Sequence, residues 1–237
     1  MNIALIGYGK MGKTIERIAE TRGHKIVARV DPFNGEDFSA PGLATADIAI
    51  EFSRPETAFN NYLECFKLNL PVVSGTTGWL DKLGEVKAMC EKGQTFFYAS
   101  NFSIGVNILF AINEQLAKIM NKYPQYEVDI TEVHHTHKLD APSGTAITLA
   151  EGIFENLSRK TKWELDKQSS ADAIAIKAIR EGEVPGIHTV KYESEVDEIT
   201  IHHSAKSRDG LALGAIIAAE FTQNKKGFLS MKDLLKF

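Results

Sequence analysis

A chain of 237 residues, 43% hydrophobic and 24% charged, can bury one large core or two modest ones and has the composition of an ordinary globular protein. Its formal net charge of −4 argues against a polyanion-binding surface, so nucleic acid is not an expected partner. Two cysteines, Cys65 and Cys90, are too few for a disulfide framework and lack metal-ligand spacing, and they read as free thiols of a cytoplasmic protein.

The first segment, Met1-Asn-Ile-Ala-Leu-Ile6, runs straight into glycines, without the basic and apolar regions of a signal peptide. The chain has no apolar run of about 18 residues, so no membrane span is expected. The longest apolar-rich stretch, 211–221, is broken by Gly214 and Glu220 and reads as a buried helix.

Taken in order, strands are expected over 2–6, 25–30, 47–52, 71–73 and 95–98, with helices over 10–22, 55–68 and 79–92 between them. That alternation predicts βαβ units and a parallel sheet. The pattern changes near Asn101. A long helix over 105–120 precedes strand-like runs over 127–133, 173–180, 187–193 and 196–203, the last three read as antiparallel neighbours joined by short turns. The polar stretch 160–170 reads as an exposed loop, 208–223 as a helix, and 230–235 as a short terminal helix. The expected class is α/β: a Rossmann-like parallel-sheet dinucleotide-binding domain (1–103) with an inserted α+β substrate and oligomerisation domain (104–207). A C-terminal segment (208–237) would return to the first domain.

Gly7-Tyr8-Gly9-Lys10-Met11-Gly12 is a G-x-G-x-x-G run between a predicted strand and a predicted helix. In a dinucleotide site the first glycine makes the turn, the second admits the diphosphate, and the third lets helix and strand pack. Asp31 follows the second strand, 19 positions after Gly12, where a carboxylate meets a ribose hydroxyl. The same letters also spell G-x-x-x-x-G-K-T, with Lys13 and Thr14 as P-loop residues, but no strand ends in a suitable metal-binding Asp. A purely structural turn is the third reading. Asp31 favours the free 2′-hydroxyl of NADH, although Arg29 and Lys10 are close enough in sequence to leave NADPH open.

Further on stands Glu132-Val-His134-His135-Thr-His137-Lys138-Leu-Asp140-Ala-Pro142-Ser143-Gly144-Thr145-Ala146. The spacing lacks H-E-x-x-H and no cysteine is near, so a metal site is not expected. A solvated or structural loop is one alternative. The stronger reading is an acid/base and anion-binding site, because histidine titrates near neutrality and Lys138 adds a fixed charge. Asp140 or Ser143 can cap the next helix, with Pro142 in its first turn, while Ser143, Gly144 and Thr145 offer hydroxyls and backbone N–H groups to a carboxylate. His137 receives no role. Trp79 reads equally as core packing or as a neighbour of the cofactor.

These residues resemble one family, the 4-hydroxy-tetrahydrodipicolinate (dihydrodipicolinate) reductases of bacterial lysine and diaminopimelate biosynthesis. Its hallmark, E-x-H-H-x-x-K-x-D-A-P-S-G-T-A, is similar to 132–146 throughout. Glu51-Phe-Ser-Arg-Pro55, Gly75-Thr-Thr-Gly78, Ala99-Ser-Asn-Phe-Ser-Ile-Gly-Val-Asn107, Arg180-Glu-Gly, Gly186-Ile-His-Thr-Val190 and His203-Ser-Ala-Lys-Ser-Arg208 follow the same order. The resemblance implies NADH- or NADPH-dependent reduction of a cyclic dicarboxylate. His134 would be the general acid, Lys138 its assistant, and His135, Gly144 and Thr145 the carboxylate grip. It implies that Gly7 to Gly12 hold the diphosphate and Asp31 the ribose. Gly75, Thr76, Thr77, Ala99, Ser100, Asn101 and Phe102 would line the nicotinamide side. It also implies two domains closing on the substrate and a homotetramer joined through the second domain's sheet. Three departures bear on cofactor choice: a short 31–47 region, a glycine loop one residue shorter than the usual form with Lys10 for arginine, and Glu51 where Asp is common. A small amino-acid or keto-acid dehydrogenase and a non-catalytic cofactor-binding regulator share the expected architecture.

Overall fold

A computed structural model describes residues 1–33 and 36–236. Asn34 and Gly35, in the short stretch after Asp31, and Phe237, at the end of the C-terminal segment, lie outside the described residues. The chain divides into two compact units, Met1–Ser103 together with Asp209–Phe237, and Ile104–Arg208.

The first unit is a six-stranded parallel sheet. Its strands are β1 (Asn2–Ile6), β2 (Lys25–Val30), β3 (Ile48–Glu51), β4 (Val72–Ser74), β5 (Thr95–Tyr98) and β11 (Gly227–Ser230), in the spatial order β11-β5-β4-β3-β1-β2. β1, β3 and β4 are buried along almost their whole length, as parallel strands covered on both faces must be. Helices α1 (Lys10–Thr21), α2 (Pro55–Lys67), α3 (Leu83–Glu91) and α6 (Asp209–Thr222) complete the layers. α2 starts at Pro55, which needs no donor there, and carries Glu56 in its first turn and Lys67 in its last, matching the helix dipole. Tyr62, Trp79 and Phe96 meet edge to face with ring centroids 4.8–5.6 Å apart, so Trp79 is a core residue. Burial pushes the Cys65 and Cys90 thiols up to about 12 and about 11, which leaves both unreactive near neutrality.

The strand order has a consequence for binding. From β1 the chain moves outward to β2 and then returns to the other side of β1 as β3. Ligands of open α/β sheets bind beyond the strand ends at such a reversal. Gly7 follows β1 and Phe52 follows β3, so both loops open into this crevice.

The second unit is a five-stranded mixed sheet of β6 (Glu127–His134), β7 (Lys162–Leu165), β8 (Ala173–Arg180), β9 (Ile187–Glu193) and β10 (Glu198–Ser204), ordered β10-β9-β6-β8-β7. α4 (Ile104–Met120) and α5 (Gly144–Phe154) pack with Val128, Ile130, Ile174, Ile176, Val190 and Tyr192 into its core. Two expectations fail here. β8 and β9 are not neighbours: β6 lies between them, parallel to β8 and antiparallel to β9, because the long central strand pairs on both edges. Only β9 and β10 form the expected hairpin. The 160–170 segment is not simply an exposed loop, since it supplies edge strand β7 and a fully buried Lys160. The Lys160 ammonium is neutralised by Glu127 at 2.7 Å and donates to the Ala171 carbonyl at 2.8 Å. Edge strand β11, which sequence reading missed, leads into α7 (Met231–Leu235), capped by Ser230 and Asp233.

Candidate active site

In the first unit, the glycine loop is built by close approach. Gly7 has φ +91°, and a Cβ there would lie 2.1 Å from the Phe52 carbonyl oxygen. A Cβ at Gly12 would lie 2.4 Å from the Gly7 oxygen, so α1 can start against the loop only with glycine. Gly9 is the opposite case: it faces open space and caps α1 with no side-chain hydrogen bond, leaving the helix start to an anion. Asp31 lies beside this loop, its carboxylate accepting from the Tyr8 N–H at 2.7 Å and the Phe33 N–H at 2.8 Å. Each oxygen keeps a second lone pair for a ribose hydroxyl. A cavity of about 550 Å³ runs along these groups, lined by Gly7, Gly9, Asp31, Phe33, Ser53 and Arg54 among others. The Arg54 guanidinium sits 4.9 Å over the Phe33 ring, which is 74% exposed.

The neighbouring loops are held by a buried acid. Glu51 ends β3, and among the described residues no cation pairs with it. Its carboxylate instead accepts from Ser74 Oγ at 2.7 Å, Thr76 Oγ1 at 3.0 Å and the Ser53 N–H and hydroxyl. Burial pushes this carboxyl up, and the hydroxyls of Ser53, Ser74 and Thr76 pull it part of the way back.

In the second unit, alternation along β6 puts Glu132 and His134 on the same, core-facing side. Register then sets His188 of β9 directly opposite Glu132. Glu132 Oε1 accepts from the Ser143 N–H at 3.0 Å and from Arg180 Nη2 at 3.2 Å, while Oε2 faces His134 Nδ1 at 3.4 Å and His188 Nε2 at 3.8 Å. Burial alone would raise the Glu132 carboxyl, but His134 and the Ser143 hydroxyl and N–H hold it down at about 2. Burial, and then the neighbouring His134, push the His188 imidazole down to about 4, so it is neutral at working pH. Glu132, His134 and His188 are also the one set among the described residues close enough to share a metal ion. Arg180 and the Ser143 N–H already compensate Glu132, which favours an acid/base cluster.

The cluster adjoins the start of α5. Ser143 is its N-cap, accepting from the Ala146 N–H at 3.2 Å, and Gly144 faces open space, so an anion can approach the backbone there. Pro142 precedes this cap and so lies outside the first turn where sequence reading put it. Asp140 is not the cap: it binds the Lys138 ammonium at 2.7 and 2.8 Å. His135 Nε2 lies 3.2 Å from Arg208 Nη2, and burial together with that guanidinium lowers its imidazole. His137 is exposed and pairs with exposed Glu183 at 3.2 Å, a surface contact.

Family models for dihydrodipicolinate reductase match 1–102 (the N-terminal part) and 105–235 (the C-terminal part). A 4-hydroxy-tetrahydrodipicolinate reductase of Christiangramia forsetii is 52% identical, covering 99% of this chain and 98% of its own. The chain belongs to the dihydrodipicolinate reductase family. A second member of that family, the 4-hydroxy-tetrahydrodipicolinate reductase of Staphylococcus epidermidis, is 36% identical over 99% of this chain and 100% of its own. The dipicolinate-bound dihydrodipicolinate reductase of Paenisporosarcina sp. TG-14 is 24% identical and superposes with a TM-score of 0.76 over 98% of both chains, which speaks for the fold.

Within this dihydrodipicolinate reductase fold, the candidate residues separate by where their side chains go. Gly7, Gly9 and Asp31 share one cavity, and His134, Ser143 and Glu132 one cluster. Phe102 is not available as a side chain: it packs between Phe52 and Phe97, at 5.7 and 5.9 Å, and can offer a ligand only backbone. Thr76 likewise turns inward to Glu51, whereas Thr77 and Ser100 are exposed. Thr14 spends its hydroxyl on the Lys10 carbonyl at 2.9 Å, which disfavours the P-loop reading. Sequence reasoning gave no role to Glu132, His188, Arg180 or Arg208, nor to Phe33 and Arg54. All but Phe33 lie in motifs that carried the resemblance, but their partners are distant in sequence.

Proposed function

We propose that the chain reduces 4-hydroxy-tetrahydrodipicolinate to tetrahydrodipicolinate, with loss of water, in lysine and diaminopimelate biosynthesis. The observation that carries this reading is Glu132, His134 and Ser143 of the 132–146 motif gathered in one buried cluster at a helix start, in a chain 52% identical to a protein of that name. A bound NADH or NADPH supplies the hydride. The residues fit such a dinucleotide, with the diphosphate on Gly7, Tyr8, Gly9, Lys10, Met11 and Gly12 and the ribose on Asp31. Gly75, Thr76, Thr77, Ala99, Ser100, Asn101 and the Phe102 backbone are assigned to the nicotinamide side.

His134 delivers the proton that balances hydride addition, at the ring's conjugated nitrogen system. His135, Ser143, Gly144 and Thr145 hold the substrate's carboxylates at the α5 start, and Lys138 assists by screening their charge. Positioning and electrostatics then supply much of the rate effect.

NADH is the proposed preference. Asp31, Glu36, Asp37 and Glu56 line the ribose cavity with negative charge, which opposes a 2′-phosphate. Among the described residues no helix is long and apolar enough to cross a membrane. A cytoplasmic homotetramer completes the proposal, and light scattering on the purified protein tests its oligomer number.

The test of the activity is a coupled assay with freshly generated substrate, following NADH and NADPH side by side. Oxidation that requires the cyclic dicarboxylate and runs faster with NADH is the expected result. Silence with that substrate, together with turnover of aspartate, would move the assignment to an amino-acid dehydrogenase.

A further inference from the structure

His134 sits among groups from three elements that the fold brings together. Glu132 lies two residues before it on β6, His188 faces Glu132 across the β6–β9 ladder, and Ser143 closes the third side from the α5 start. Glu132 Oε1 is already fixed by the Ser143 N–H and by Arg180, so Oε2 can point only toward the two rings. Oε2 of Glu132 and Nδ1 of His134 are both buried, neither has another hydrogen-bond partner among the described residues, and they lie 3.4 Å apart. Buried polar atoms rarely remain unpartnered, so these two are left to each other. The opposite nitrogen meets a different surface. A Cβ on Gly186 would come within 3.1 Å of His134 Nε2, so glycine keeps that side of the ring clear.

We propose that Glu132 is a positioning residue of the reduction: its carboxylate anchors His134 through Nδ1, fixing the ring so that Nε2 is the nitrogen that donates the proton. This rests on His134 being the acid. The charged and titratable groups around the ring are Glu132, Arg180 of β8, His188 of β9, His203 of β10 and, in the following loop, Lys138 and His135 with Arg208 and Glu183 beyond. Among them Glu132 is the anion within 4 Å of the ring. His188 is neutral and adds bulk without charge, keeping water from Oε2.

The experiment compares wild type, Glu132→Gln, Glu132→Asp and His134→Gln by kcat/KM against pH, NADH affinity, and NMR titration of the His134 ring nitrogens. In Glu132→Gln, kcat/KM should fall on the order of 10²-fold and NADH affinity should hold, as for loss of general-acid function. The alkaline limb of its profile should move lower, the direction expected from removing a neighbouring anion. Glu132→Asp should recover part of both, which a merely structural residue would not do.

A dead His134→Gln beside a Glu132→Gln enzyme of unchanged pH profile overturns the Glu132 role alone. A fully active His134→Gln overturns the acid assignment beneath it. Should Glu132→Gln fail to fold, the wild-type NMR decides. A proton held on Nδ1 in a carboxylate bond supports the proposal, and a ring titrating as free imidazole overturns it.

Discussion

Arg29 of β2 donates through Nε at 3.1 Å to Glu16 of α1, and its terminal nitrogen pairs with the same carboxylate. Tyr8 donates its hydroxyl to Glu16 as well. The Arg29 hydrogen bonds hold the Glu16 carboxyl below the usual range, and Glu16 in turn raises Arg29. The guanidinium that sequence proximity offered to a 2′-phosphate is therefore already committed, two residues from the carboxylate assigned to the ribose.

Cofactor choice should respond to that pair. Glu16→Gln releases Arg29, and the ratio of kcat/KM for NADPH over NADH should rise roughly 10-fold, the effect of about 1.4 kcal/mol of recovered attraction. Adding Asp31→Ser should raise it further. Steady-state kinetics with both cofactors measure this, and an unmoved ratio in the double variant would show that Arg29 has no access to the 2′ position.

The buried Glu51 predicts a pH-dependent stability. Its carboxyl is raised in the fold above its ordinary value of 4.5, so the folded chain holds that proton more tightly than the unfolded one. Its contribution is complete below the unfolded value and is lost as pH rises through the folded one. Glu51→Gln cannot ionise, so its Tm relative to wild type should increase as pH rises above 4.5. A difference that stays flat, by thermal denaturation across that range, would mean that the carboxyl ionises without cost.

Lys160 gives a prediction about packing. Its ammonium is fully buried, while its partner Glu127 is 60% exposed and can be rehydrated. Lys160→Ala removes the stem as well as the charge and should cost about 2–4 kcal/mol in urea unfolding. Lys160→Met keeps the volume and should cost clearly less, since an apolar replacement of a buried pair is often near neutral. Equal losses would place the stabilisation in the hydrogen bond to the Ala171 carbonyl rather than in the stem.

The first sheet was largely legible, because its strands are short apolar runs separated by helical patterns and the glycine loop marks the turn at β1. β7 and β11 escaped notice for a physical reason: each is a four-residue edge strand without a buried face to impose alternation. The order of the second sheet was not legible either. Local turns suggested that β8 and β9 are partners, whereas β6 pairs with both through contacts distant in sequence. The site follows the same division. The histidine–lysine motif and the α5 cap could be read from neighbouring residues, but the Glu132–His188 opposition and the Arg29–Glu16 pair come from register and packing.

The central claim is that His134, with Lys138, serves the reduction itself and not cofactor binding. It is tested most directly by the His134→Gln, Lys138→Ala double variant, measuring NADH oxidation with freshly generated 4-hydroxy-tetrahydrodipicolinate and NADH affinity on the same preparation. Turnover should fall about 10²–10⁴-fold, the range for loss of a positioned general acid, with NADH affinity nearly unchanged. Wild-type turnover in that variant would contradict the account.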